Sequence, residues 1–176
     1  MIQSGLIRKI DGMGRLVIPK EIRQKYNIHE NDYLEFLIDK DGFYLKKYST
    51  LGKLSNLAQE LTDILNKYLD AEVLIAEKDT IIAYSGIYRN KYINRAISKK
   101  LYKSIKRRED LFEKYNKELE IIDGNVIVCS YINKSLVVDY EEIGIICLYR
   151  ENKSVDEIDL KIVNIVASFL IKYIED

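Results

Sequence analysis

Residues 14–23 read Gly14-Arg15-Leu16-Val17-Ile18-Pro19-Lys20-Glu21-Ile22-Arg23 and set the fold of the first part of this chain. Gly12 and Gly14 predict a tight turn, because glycine takes positive φ without a steric penalty. The run Leu16-Val17-Ile18 favours a short strand. Pro19 then marks a helix start, since the first helical residue has no use for an N–H donor. A turn, a strand and a helix are therefore expected in direct succession.

Positive charge is concentrated in the same region, although the whole chain of 176 residues has a formal net charge of zero. Residues 1–25 hold six basic and two acidic side chains, whereas residues 26–52 and 53–176 each have a net charge of −2. The six basic residues are Arg8, Lys9, Arg15, Lys20, Arg23 and Lys25. A basic unit inside a neutral protein favours a nucleic-acid-binding surface. A solvated face of a small domain is the plainer alternative.

The first 48 residues are expected to form a small strand-rich unit. Its predicted elements are strands 5–10 and 15–18 around a turn at 11–14, a helix from 19 to about 26, and a hairpin of strands 33–38 and 43–48. A unit of this size buries little apolar surface by itself. It has no cysteine and no metal-binding cluster to compensate, so a dimer is the expected state.

The rest of the chain predicts an α+β domain with an antiparallel sheet. Apolar residues repeat at three- and four-residue steps from Leu51 to Leu69, which indicates an amphipathic helix with a seam for a partner helix. The further predicted elements are a hairpin of 71–76 and 80–85, a helix at 90–107, strands 126–132 and 143–149, and a last helix opened by a capping box from Ser154 to Glu157. The expected domains are 1–50, a connecting helix at 51–70, and 71–176.

Several classes of function find no support in the sequence. It has no run of apolar residues long enough for a membrane span, and its first residues lack the basic-then-apolar pattern that a signal peptide is expected to have. Cys129 and Cys147 are predicted to be buried free thiols, which favours a cytoplasmic protein. His29 has no partners at ligand spacing and is expected on a surface loop. No nucleophile motif or carboxylate pair suggests an enzyme, and no cofactor or metal is expected.

The first unit resembles the AbrB-type swapped-hairpin DNA-binding family. The matching segments are Gly5-Leu6-Ile7-Arg8-Lys9-Ile10-Asp11, Gly14-Arg15-Leu16-Val17-Ile18-Pro19, Glu21-Ile22-Arg23 and Leu45-Lys46-Lys47-Tyr48. The remainder is similar to family members in which this domain is joined through a helix to a GAF domain, with the segment 91–98 and the two long helices carrying that likeness.

The resemblance implies a sequence-specific regulator of transcription, of sporulation genes in members with this layout, that binds double-stranded DNA. Hairpins of two chains would interleave into one β-barrel-like dimer through residues 1–50, and the C-terminal region would pair dimers into a tetramer. The DNA-binding residues carried over are Arg8, Lys9, Arg15, Arg23 and Gln24. Gln24 departs from the second adjacent arginine that many members have, so it supplies no charge at that position.

Two alternatives remain open. The same family includes antitoxins that bind a protein partner through short tails, although residues 53–176 have the periodicity of a folded domain. The GAF-like part is also a candidate sensor of an unidentified small ligand. Its cavity is expected between strands 126–132 and 143–149 and residues 88–107, and the chain's own tyrosines and isoleucines are the favoured filling. The basic run from Lys99 to Arg108 is expected to be a solvated helix face.

Overall fold

The computed structural model describes residues 6–26, 28–30, 32–48, 51 and 54–175. The chain divides into two compact units, Met1–Tyr48 and Ser49–Asp176. The first unit contains helix α1 (Lys20–Lys25) and strands β1 (Leu34–Asp39) and β2 (Gly42–Lys47). Segment 51–70, expected to connect the domains, lies within the second unit, where helix α2 (Ser55–Leu69) packs on the sheet.

The turn of the first unit is organised by one carboxylate. Asp11 Oδ1 accepts hydrogen bonds from the backbone N–H groups of Met13 and Arg15, each at 2.9 Å. The Gly14 N–H donates to the Asp11 carbonyl at 3.0 Å, and Gly14 has a φ of +78°, which only glycine adopts freely. Helix α1 follows Pro19, and β1 pairs with β2 in antiparallel register from Leu34↔Lys47 to Asp39↔Gly42. The predicted turn, helix and hairpin are all present.

The prediction of strands at 5–10 and 15–18 is wrong for the residues that the structure describes. Described residues 6–10 and 15–18 form no strand, because a strand needs a neighbour for its backbone hydrogen bonds and the described part of the chain supplies none beside them. Their apolar side chains remain in solvent: Ile7 is 92% exposed and Val17 is 74% exposed. None of the described residues from 6 to 48 is buried.

The second unit is a five-stranded antiparallel sheet in the order β4-β3-β7-β6-β5. Its strands are β3 (Glu72–Glu77), β4 (Thr80–Ser85), β5 (Leu111–Ile122), β6 (Asn125–Val138) and β7 (Glu141–Arg150), and its other helices are α3 (Arg89–Tyr92), α4 (Lys99–Lys106) and α5 (Glu157–Glu175). Helices α2 and α5 pack with Val73 and Ile75 on one face of the sheet. Helices α3 and α4 pack with Leu74 and Ala76 on the other. The alternation along β3 thus builds two cores on one sheet.

The helix predicted over 90–107 is wrong in its middle. Helix α3 ends at Tyr92 and α4 begins only at Lys99. Between them the chain runs beside β4, where the Ile81 N–H donates to the Arg95 carbonyl at 2.9 Å and Asn94 takes a φ of +61°. Ser98 then caps α4 by accepting the Leu101 N–H at 3.0 Å. The sequence predicted one continuous helix because the apolar residues keep helical spacing across this break.

Strand β5 was not predicted, because five consecutive residues of its twelve, 114–118, are exposed and charged or polar. The capping box of α5 lies two residues later than predicted. Asp156 accepts the N–H groups of Ile158 and Asp159, and the Asp159 carboxylate accepts the Asp156 N–H at 2.8 Å. The Ser154 carbonyl oxygen instead accepts a hydrogen bond from Arg150. Cys129 and Cys147 are buried free thiols, as predicted.

Candidate nucleic-acid interface

Arg15 leaves the turn in a defined orientation. Its Nε donates to Asp11 Oδ2 at 2.8 Å, while the side chain remains 72% exposed. The hydrogen bonds from the Arg15 backbone and side chain are the main reason that the pKa of Asp11 lies below its usual value. A single bond through Nε leaves the outer guanidinium nitrogens available for a phosphate or a base edge.

Arg8 and Lys9 lie on the exposed segment that precedes the turn. Arg8 Nη1 donates to the Ile7 carbonyl at 3.0 Å, a local bond that buries nothing. With Arg15, these residues place three cations within eight positions of sequence around one turn, all in solvent.

Arg23 and Gln24 are neighbours on α1. They line a depression of about 370 Å³ with Lys20, Ile28 and His29. Arg23 lies in the last turn of α1, where no side chain is buried. Sequence reasoning named Arg23 and Gln24 but placed His29 only on a surface loop. His29 comes close to Arg23 and Gln24 because the chain bends after α1, and no short sequence motif predicts that bend.

The basic run in the second unit has acidic neighbours, as expected for a solvated helix face. Arg108 Nε donates to Glu142 at 2.8 Å, and Lys106 lies 3.8 Å from the same carboxylate group. Arg107 lies 3.5 Å from Glu109. Arg108 is the largest cause of a pKa below the usual range at Glu142.

The expected cavity of the second unit is occupied by its core. Tyr84, Tyr92 and Tyr149 are fully buried there, with Cys129 and Cys147 beside them. Burial is the main cause that raises the pKa of Tyr92 to about 12. A cavity of about 30 Å³ between α4, β5 and β6 has room for roughly one water molecule. On the face of the sheet that α3 and α4 cover, the chain's own tyrosines and isoleucines thus fill the expected cavity.

Two further findings concern the described residues as a whole. No helix among them is both long and apolar enough to cross a membrane. Within the described ranges, no three histidine, cysteine, aspartate or glutamate side chains are grouped so that they could hold a metal ion.

Comparison with known proteins defines the class. The family described as stage V sporulation protein T C-terminal, transcription factor, matches residues 53–175, and the family described as antidote-toxin recognition MazE, bacterial antitoxin, matches residues 7–52. The second unit is similar to the cofactor-binding GAF domain of the nutrient sensor CodY from Clostridium difficile, with a TM-score of 0.50, 15% identity, and coverage of 66% of this chain and 83% of that one. The chain therefore combines an AbrB-like N-terminal domain with a GAF-like α+β domain.

Sequence relatives from Bacillus subtilis (strain 168) narrow this class. Stage V sporulation protein T is 35% identical over 177 residues, with 99% of both chains covered. Transition state regulatory protein AbrB is 46% identical over 48 residues, which are 27% of this chain and 50% of AbrB. The chain belongs to the stage V sporulation protein T family of transcription factors.

Proposed function

We propose that the protein is a sequence-specific regulator of sporulation genes that binds duplex DNA through Arg8, Lys9, Arg15, Arg23 and Gln24. The observation that carries this proposal is the exposed basic surface around the Asp11 turn and α1, within the AbrB-like N-terminal domain. Arginine suits the task because its planar fork pairs bidentately with phosphate or guanine. The bond to Asp11 holds Arg15 in place and lowers the entropy lost on binding. This function places the protein in the cytoplasm.

The DNA-binding form is an intertwined dimer through residues 1–50. Phe36 and Ile38 of β1 share one face of the hairpin with Phe43 of β2, and all three are more than half exposed. The Phe36 and Phe43 rings lie 5.6 Å apart between centroids. An apolar face of this kind, in the same unit as the segments 6–10 and 15–18 that form no strand, supports a second chain as its cover. The dimer doubles the set of arginines and fixes their orientation on the duplex.

A tetramer forms through the second unit. Ile158, Ile165, Phe169 and Tyr173 form one stripe along α5 at seven- and four-residue steps, and all four are substantially exposed. The Phe169 and Tyr173 rings lie 6.0 Å apart between centroids. A helix that keeps such a stripe in water supports pairing with a helix of another dimer.

DNA binding is tested by a mobility-shift series with operator fragments selected from a random DNA pool. Arg15→Ala should weaken binding by about 1–3 kcal/mol per site. The slope of log affinity against log salt should be roughly −4 to −7, which corresponds to about 5–8 neutralised phosphates. Arg107→Ala, an exposed arginine of the second unit, is the matched control and should bind normally. Unchanged binding by alanine variants of Arg8, Arg15 and Arg23 would refute the assignment.

The antitoxin alternative has one observation in its favour, the match of residues 7–52 to the MazE family. Such a protein would neutralise a protein partner through a short C-terminal tail. Residues 54–175 instead form a folded α+β unit with a sheet and two cores, which favours the regulator. Retention of a protein, and of no DNA fragment, by the full chain would reverse this preference.

A further inference from the structure

A second candidate site lies in the GAF-like unit. A cleft of about 580 Å³ opens where four segments meet, a volume typical of small-molecule sites. These segments are the end of α2, the start of β3, the loop after β4 and the loop after β7. The lining residues that the argument uses are Glu72, Gly86, Tyr88, Arg150, Glu151 and Lys153.

Negative charge predominates in this cleft. Asp70, Glu72 and Glu151 line it, and among the described residues neither Glu72 nor Glu151 forms an ion pair. The Arg150 guanidinium also lies there, but it is committed to the Asp159 carboxylate through both terminal nitrogens. Lys153 is the remaining cation of the lining, and the Lys91 ammonium group lies outside the lining, over the Tyr88 ring. The balance disfavours phosphates and other anions and favours a cation.

Glu72 is held in place before any ligand arrives. Its carboxylate accepts the Tyr84 hydroxyl at 2.5 Å and the Ile87 N–H at 3.0 Å. It also lies directly against Gly86, where an added Cβ would come within 2.0 Å of Glu72 Oε2. Gly86 has a φ of +140°, so glycine is required there for its backbone conformation as well as for space. A fixed carboxylate binds a cation with little loss of side-chain entropy.

The Tyr88 side chain lines the same cleft. The Tyr88 ring packs edge-on against Tyr92 with centroids 6.1 Å apart. Tyr88 lines the cleft together with Glu151, whose negative charge is the largest cause of a raised pKa at the Tyr88 hydroxyl. The ammonium group of Lys91 already lies over both rings, 5.6 Å from the Tyr88 centroid and 5.3 Å from the Tyr92 centroid. Tyrosine faces attract ammonium groups through the ring quadrupole.

We propose that this cleft binds a small organic cation, with its ammonium group between Glu72 and Glu151 and its apolar part against Tyr88. Direct hydrogen bonds and the tyrosine ring supply affinity, and the carboxylate pair rejects neutral analogues. The ligand would also lie beside Arg150, whose guanidinium donates to the Leu69 carbonyl at the end of α2 and to the Asp159 carboxylate at the start of α5. Binding therefore stabilises the folded unit. This inference does not depend on DNA binding.

The test uses the full chain and a panel of methylammonium, tetramethylammonium, choline and putrescine, followed by thermal unfolding and calorimetric titration. At least one cation should raise the melting temperature saturably at concentrations up to about 10 mM. For choline, the control ligand is its uncharged isostere, in which carbon replaces the quaternary nitrogen, and this compound should not bind. Equal stabilisation by the isostere, or no saturable effect from any cation, would overturn the proposal.

Three variants locate the site. Glu151→Gln should weaken binding of the best cation roughly 10- to 100-fold, since it removes one charged acceptor. Lys153→Gln should tighten binding, because it removes a repelling charge from the lining. Glu141→Gln, at the opposite end of β7, is the matched control and should bind as the original chain does. Normal affinity in Glu151→Gln, with an unchanged melting temperature before ligand is added, would place the cation elsewhere and refute the assignment.

Discussion

The buried pair of Arg150 and Asp159 makes the sharpest stability prediction. Their side chains are 6% and 5% exposed, and Arg150 Nη2 donates to Asp159 Oδ1 at 2.9 Å. Arg150 also donates to the carbonyls of Leu69, Asp70 and Ser154. One guanidinium thus ties the ends of α2 and β7 to the start of α5.

Asp159→Asn keeps the volume of the side chain and an oxygen for the Asp156 N–H, but leaves the Arg150 charge buried without its partner. Breaking a buried pair in this way costs about 3–5 kcal/mol of unfolding free energy. The three carbonyls still accept from Arg150, so we expect about 3 kcal/mol. By contrast, Arg150→Met combined with Asp159→Leu removes both charges and should recover part of the loss.

The assay is urea unfolding followed by near-ultraviolet circular dichroism, where the signal comes from tyrosine because the chain has no tryptophan. Tyr84, Tyr92 and Tyr149 are buried in the same unit and report on its packing. The exposed pair of Arg107 and Glu109 is the control, since Arg107→Ala should cost less than about 1 kcal/mol. A loss below about 1 kcal/mol in Asp159→Asn would show that the pair does not hold these elements together.

Three further predictions concern thiols, pH and assembly. Burial raises the pKa of Cys129 to about 12 and that of Cys147 well above its usual value, so neither thiol should react with a disulfide reagent at about pH 8 until urea is added. The pKa of Asp156 is lowered chiefly by the hydrogen bond from the Asp159 N–H. The stabilisation that the Asp156 carboxylate gives the fold is therefore present above the ordinary pKa of 3.8 and is lost as pH falls through the lowered pKa. Over this pH range the urea midpoint should fall less in Asp156→Asn than in the original chain. Ile38→Lys should shift the full chain to a smaller species in analytical ultracentrifugation, and an unchanged assembly would count against the N-terminal dimer.

The sequence by itself determined the elements whose signals are local. Glycine spacing and Pro19 identified the turn and α1, because backbone freedom and the missing N–H act within a few residues. Periodicity identified α2 and α5, whose apolar stripes are long enough to be unambiguous. The basic residues proposed for DNA were also visible at this level, since net charge over a short segment needs no fold.

Tertiary structure decided whatever depends on distant neighbours. Strand β5 exists because β6 supplies its hydrogen bonds, although its own residues look like a charged loop. The break at 93–98 exists because β4 offers an edge to that segment. The cleft at Glu72 and Glu151 joins residues 79 positions apart in sequence, which line the same cleft because β3 pairs with β7 from Glu72↔Tyr149 onward. Pairing between strands fixes such contacts, and no local pattern encodes them.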